Sequence, residues 1–319
     1  MRRLARLAAL LGCLALTACG VGQGSAVTIA AGDPIKVGVL PVADFAPVYI
    51  AQDKGYFADE GLQVQTQVMQ NAAAIAPSVI NGQLQFGTGA VTPFIAAAQK
   101  GLPLRAVANM ADTAATPATD PSAILVAGGS SLKRPRDLVN HKVAVNGLGA
   151  ITHVAAAEAI AKDGGDPTSV TFVAMPFPDM IPALKQGRID AASVVEPFLT
   201  LGTAQDATAI SHPYTTAFAP GRTMAVMFSA QPFLDKNPDV AHRFVRALNR
   251  ASEVAATDPE AVRQVLVTHG RMKPEIVAKI RFPGYGTSVS ADAITQTATV
   301  METLKMIPGS LDGSSVVWR

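Results

Sequence analysis

Two hydrophobic periods take turns along this chain. Ile35-Lys36-Val37-Gly38-Val39-Leu40 is β-branched and bounded by Pro34 and Pro41, which predicts a strand. Pro47 to Phe57 follows helical spacing and ends before Gly61. Leu62-Gln63-Val64-Gln65-Thr66-Gln67-Val68 alternates apolar and polar, the period of a second strand. Ala74 to Asn81 returns to helical spacing, and Gly82 stops it. Phe86 opens a brief strand, followed by a glycine turn at Gly87-Thr88-Gly89-Ala90 and a helix from Pro93 to Lys100. Leu104 to Ala108 is again a strand. Strand and helix alternating at this pitch predict α/β layers around a mostly parallel sheet.

Residues 111–121 break the pattern with Ala, Thr, Asp and two prolines. A second series then begins. Strands are expected at Ile124–Ala127, Val143–Gly147, Val170–Ala174 and Ala191–Val195, with helices at Ile151–Asp163 and Met180–Gln186 between them. Thr223 to Phe228 is strand-like, and the remainder is mainly helical. Asn237-Pro238 and Asp258-Pro259 each combine an N-cap residue with an N1 proline. Val240, Phe244 and Leu248 share one helical face, as do Ile294, Ala298, Met301 and Leu304 behind a Ser290 cap. Two α/β series and a helical return predict two lobes. Residues 34–123 with 224–319 would form the first, and residues 124–223 the second.

The N-terminus carries a separate signal. Met1-Arg2-Arg3 is a cationic head before a short apolar run, which ends in Leu16-Thr17-Ala18-Cys19. The run is too short for a permanent membrane helix. It resembles a bacterial lipoprotein signal with its lipobox. That resemblance implies removal of residues 1–18, lipid on Cys19, and a flexible lipid tether over residues 19–33. Arg2, Arg3 and Arg6 leave with the signal, so the basic count falls from 26 to 23 against 24 acidic residues. The mature chain is then near neutral, which argues against nucleic acid as a partner. Cys13 and Cys19 are the only cysteines. The mature fold therefore has no disulfide, thiolate metal site or cysteine nucleophile, and no cofactor or metal is expected. No later apolar run reaches about 18 residues, which excludes a transmembrane permease.

A longer resemblance lies in the body. Asp44-Phe45-Ala46-Pro47-Val48-Tyr49-Ile50-Ala51-Gln52-Asp53-Lys54-Gly55-Tyr56-Phe57-Ala58-Asp59-Glu60-Gly61-Leu62 resembles the signature helix of solute-binding proteins that serve ABC importers for nitrate, aliphatic sulfonates, taurine and thiamine-precursor pyrimidines. Gly82-Gln83-Leu84-Gln85-Phe86-Gly87, Gly101-Leu102-Pro103-Leu104, Asp137-Leu138 before His141-Lys142-Val143, and Gly187-Arg188-Ile189-Asp190-Ala191 with Glu196-Pro197-Phe198 follow in order. The resemblance covers roughly residues 35 to 250. It implies an α/β, two-lobed type II periplasmic-binding-protein architecture, each lobe a mostly parallel sheet flanked by helices, with the ligand cleft between lobes. It also implies a non-enzymatic monomer, exported and lipid-anchored on the outer face of a bacterial cytoplasmic membrane. Its partners would be a small-molecule ligand and the permease and ATPase subunits of an ABC importer. Two rivals share the pattern: a pyrimidine-synthesis-like enzyme of the same fold, and a ligand-sensing lipoprotein.

Candidate ligand contacts fall where loops leave strands, the usual crevice of open α/β sheets. Asp44 is placed to accept hydrogen bonds from a ligand, or to cap the helix that follows. Phe45 and Tyr49 are candidates to sandwich a ring, with core packing as the alternative for Tyr49. Thr88, Gly89 and Ala90 form either a contact or a tight turn. Asn146, Gly149 and Thr152 belong to a loop expected to donate from the second lobe. His153 reads as structural. Phe177 sits in a proline-flanked loop that would close over a ring. Glu196, held extended by Pro197, reaches either the cleft or an ion pair at the hinge. Leu40–Pro47, Gly87–Thr92, Asn146–Thr152 and Val195–Phe198 contain no lysine or arginine. Strong anions are usually met by such groups, so the pattern favours a ligand with N–H donors or positive charge, such as an aminopyrimidine or an amine.

Overall fold

The computed structural model describes residues 28–30, 32–69 and 74–319. The signal segment 1–18, Cys19 and most of the tether lie outside the described residues. Where the tether re-enters, Ile29 donates its N–H to Asn237 Oδ1 at 2.8 Å and packs against the core, so its last residues are docked rather than loose.

The first half of the first sheet runs β1 (Pro34–Val39), a 3-10 turn (Ala43–Phe45), α1 (Ala46–Asp53), α2 (Tyr56–Asp59), β2 (Gln63–Val68), α3 (Ile75–Ile80), β3 (Phe86–Ala90), α4 (Val91–Gln99) and β4 (Leu104–Asp112). The chain then crosses to β5 (Ser122–Val126), β6 (Lys142–Val145), α5 (Ile151–Lys162), β7 (Thr171–Ala174), α6 (Phe177–Lys185), β8 (Ala191–Val195), α7 (Phe198–Thr203), β9 (Thr208–Ser211) and α8 (Pro213–Ala217). It returns as β10 (Thr223–Ala230), followed by α9 (Gln231–Lys236), α10 (Pro238–Thr257), α11 (Pro259–Thr268), α12 (Pro274–Val277) and α13 (Ala291–Thr303).

The strands form two sheets of one design, ordered β2-β1-β3-β10-β4 and β7-β6-β8-β5-β9. In each, three neighbouring strands are parallel, and one reversed strand, β10 or β5, pairs antiparallel on both sides. Both sheets are therefore mixed. β5, β8 and β10 are buried along their whole length, in keeping with their largely apolar sequences. β2 is an edge, and its alternating glutamines face water.

Several local differences from the sequence pattern have physical causes. The helix expected over 47–57 is two helices, because Gly55 takes φ 73 between them. The expected turn at Gly87–Ala90 is strand. A Cβ on Gly87 would lie 2.4 Å from Ile75 Cγ2, and one on Gly89 would lie 3.0 Å from Phe228 Cε1. These glycines let α3 and Phe228 pack against β3. Phe177 opens α6 instead of lying in a loop. Asp258 and Ser290 cap α11 and α13 as expected, whereas Asn237 makes no side-chain cap for α10. On α10, Phe244 stacks on Phe86 at 3.9 Å and on Phe57 at 5.1 Å.

Candidate functional site

The carboxyl ends of β1, β3, β6 and β8 lead into the 3-10 turn, α4, the turn before α5 and α7, and in open α/β sheets such ends border the ligand crevice. α5 reaches across it: Ile151, Val154 and Ala155 share a buried cluster with residues of the first sheet, and α5 touches α4. Val195, Tyr214 and Ala217 join the same cluster. Neither α4 nor α5 has a side-chain cap. The first-turn N–H groups of both helices therefore have no side-chain acceptor, a condition that favours an acceptor atom from a ligand.

Asp44 is the chemically unusual group. It sits in the 3-10 turn after β1 and does not cap α1. Among the described residues its carboxylate meets only its own backbone N–H, and loss of solvent pushes it up to about 7 from 3.8. Its charge raises the hydroxyls of Tyr214 and Tyr285, both already raised by burial. Tyr285 donates to Ala43 O at 2.9 Å, one residue from Asp44. Tyr214 is carried by α8 and lies within electrostatic reach of Asp44. That helix is fixed by Asp120, whose carboxylate takes the N–H and hydroxyl of Ser122 and the N–H and hydroxyl of Thr215. An under-solvated acid whose charge reaches two phenols suits a donor-rich or cationic ligand.

The loop before α5 is ordered by internal bonds. Thr152 Oγ1 donates to Asn146 Oδ1 at 2.6 Å, and Gly149, at φ 78, donates its N–H to His153 Nδ1 at 2.9 Å. Burial pushes His153 down to about 4, so its ring is the neutral acceptor that bond requires. Phe177 stacks on Phe198 at 5.2 Å and touches the cores of both sheets. Ala90 is half-buried at the entry to α4.

Other predicted contacts have different tasks. Thr88 accepts from Leu40 N and donates to Gly38 O, which ties β3 to β1. Gly89 makes room for Phe228. Phe45 is buried in the first core, and Tyr49 stacks on His269 at 4.6 Å, toward α11. Glu196 accepts from Thr200 N, Thr200 Oγ1 and Arg281 N, which leaves it as a scaffold carboxylate rather than an open one. Tyr214 and Tyr285 escaped the sequence reading. The glycines on either side of Tyr285 were its available signal.

The family described as NMT1/THI5 like matches residues 42–262. A Bacillus subtilis relative named "Putative aliphatic sulfonates-binding protein" is 25% identical over 68% of this chain and 64% of its own length. A 4-amino-5-hydroxymethyl-2-methylpyrimidine phosphate synthase of Saccharomyces cerevisiae is 22% identical over 69% of this chain and 65% of its own. The match thus spans less than two thirds of either curated relative. The solved alkanesulfonate-binding protein SsuA of Xanthomonas axonopodis pv. citri, bound to MOPS, superposes with a TM-score of 0.77 at 17% identity, covering 91% of this chain and 100% of that one. The fold is the two-lobed type II periplasmic-binding-protein architecture, as expected.

Proposed function

This chain belongs to the NMT1/THI5-like family, and from that premise we propose that it is the extracytoplasmic solute-binding component of an ABC importer. It captures a small nitrogen-containing molecule, an aminopyrimidine or an amine, between a lobe of residues 34–123 with 224–319 and a lobe of residues 124–223. The observation that carries the ligand class is Asp44: half-buried, bonded among the described residues only to its own N–H, and close enough for its charge to raise Tyr214 and Tyr285. A ligand N–H or ammonium group supplies the partner this acid lacks. The absence of lysine and arginine from residues 40–47, 87–92, 146–152 and 195–198 supports the same class. Asn146, Gly149, Thr152, Ala90 and Phe177 are proposed to complete the pocket as the lobes close. The reading assigns capture and delivery to a permease and its ATPase, with no bond made or broken. It includes lipid on Cys19 and a position on the outer face of the cytoplasmic membrane.

The test is a thermal-shift screen of the purified protein, followed by calorimetry, with aminopyrimidines, simple amines, alkanesulfonates and nitrate. Binding to the folded state alone must raise the midpoint. An aminopyrimidine or amine is expected to raise it, with product analysis showing the ligand unchanged. A sulfonate binding more tightly than every amine and aminopyrimidine would overturn the ligand class. Steady conversion of any ligand would overturn the binding role.

A further inference from the structure

Residues 279–286 lie between α12 and α13 and touch both halves of the molecule. On the second-lobe side, Arg281 N donates to Glu196 Oε1 at 3.2 Å. The Arg281 side chain reaches Asp120 O at 3.3 Å and lies against the His212 ring, with Nη1 3.2 Å from Nε2. Glu196 is 2% exposed and also takes Thr200 N at 3.0 Å and Thr200 Oγ1 at 2.9 Å, so one carboxylate joins this segment to the start of α7. On the first-lobe side, Asp112 and Gly284 exchange backbone bonds of 2.7 and 3.1 Å. Tyr285 then donates to Ala43 O beside Asp44. Gly286 is pressed onto the same anchor: a Cβ there would lie 2.6 Å from Asp112 Oδ2 and 2.8 Å from Asn109 Nδ2.

The covalent crossings run close by. Residues 113–121 and 212–222 connect the two sheets, and they are joined at Thr113, whose N–H donates to Arg222 O and whose hydroxyl donates to Ala219 O. Residues 279–286 add a non-covalent link, made of these hydrogen bonds and of the packing of Ile280, Phe282 and Tyr285 against the first core. A cavity of about 350 Å³ beside Glu196, Thr200, His212, Lys279 and Arg281 leaves room for the second-lobe end to lift. Between the two anchors stand only Phe282 and Pro283, a stretch too short to absorb a displacement at one end without loading the other.

Resting on the solute-capture reading, we propose that Glu196 is a positioning residue for the ligand site, acting through the 279–286 strap to set Tyr285 beside Asp44 and to couple the two lobes. Glu196 itself touches no ligand. Its carboxylate fixes one end of the strap, the Asp112–Gly284 pair fixes the other, and the ligand acid lies next to the second anchor. The angle between lobes and the geometry around Asp44 then change together.

Hydrogen–deuterium exchange on the ligand-free protein tests this without reference to any ligand. Two variants load opposite ends: Glu196→Gln at the second-lobe anchor and Gly286→Ala at the first-lobe anchor. Coupling predicts that each speeds exchange roughly tenfold or more at the far anchor, with β9 and α11 unchanged. Glu196→Gln should expose the amides of Asp112 and Gly284, and Gly286→Ala should expose those of Thr200 and Arg281. Exchange that speeds only at the mutated end, in either folded variant, would overturn the proposal. Glu196→Gln retains one acceptor oxygen, and Gly286→Ala changes no atom of the second-lobe anchor, so a failure of either to fold leaves the other decisive. Because no ligand is present, a wrong ligand class would leave this result standing, and uncoupled anchors would leave the ligand class standing.

Discussion

Replacing Asp44 by Asn should stabilise the empty protein at neutral pH and leave it unchanged in acid. In the unfolded chain this carboxyl titrates near its ordinary 3.8; in the fold, loss of solvent pushes it up to about 7. Between those values the unfolded chain releases a proton that the folded protein keeps. Stability fully present below 3.8 is therefore lost as pH rises toward about 7. At about 1.4 kcal/mol for each pH unit, the ceiling on that loss is ~4 kcal/mol. Asp44 retains part of its surface, and solvent screening lowers the expectation to about 2–3 kcal/mol. Asn cannot ionise, so Asp44→Asn should exceed the parent by about 2–3 kcal/mol at about pH 8 and match it near pH 4. Urea unfolding without ligand at both pH values measures the difference, provided the slopes agree. An equal difference at both pH values, or a less stable Asn variant at the higher one, would refute the reasoning. The same variant should bind an aminopyrimidine or amine roughly ten- to a hundredfold more weakly, since it loses a charge-assisted bond of about 1.5–3 kcal/mol. Greater stability with weaker binding is the signature of an acid held for a ligand.

Gly87→Ala should cost about 1–3 kcal/mol, because the new methyl meets Ile75 Cγ2 at 2.4 Å and Val79 Cγ2 at 3.0 Å; an unchanged melting temperature would show that β3 is not packed this tightly. His153, lowered to about 4 by burial, lends stability that is present above its ordinary 6.5 and lost as pH falls toward 4. His153→Asn should flatten that acid limb by about 1–2 kcal/mol after screening, and melts from pH 7 to 4 that parallel the parent would count against it. Cys19→Ser should move the protein from the membrane to the soluble fraction, because the near-neutral body offers no second anchor; retention in membrane pellets would oppose lipid attachment.

Much of the architecture was legible because strand and helix periods differ. The alternation of Leu62 to Val68 announced a strand, as did the apolar runs at Ile124–Ala127, Ala191–Val195 and Thr223–Phe228. Glycine carried less information. Gly87 and Gly89 looked like a turn, yet they serve close packing, and sequence alone does not separate these uses. Asp44 was found by its place after a strand. Whether a carboxylate is occupied depends on distant partners, which is why Glu196 looked available until Arg281 came to it from 85 residues away. Tyr214 and Tyr285 were missed for the same reason: each is positioned by contacts with segments far off in sequence, Asp120 through α8 for one and Ala43 for the other.

The reversed strand of each sheet dictates an order of assembly. β10 alone joins β3 to β4, through pairs such as Ala90 with Ala225 and Ala108 with Met227. Until residues 223–230 have been synthesised, the first sheet exists as the β2-β1-β3 group and a separate β4, each with unpaired backbone. The second sheet needs only the continuous stretch from Ser122 to Ser211. A chain emerging from its N-terminus can therefore close its middle first, while its beginning waits for a distant strand. Such long-range pairing slows folding. It also leaves the early strands unpaired for longest, a hazard if β10 is delayed.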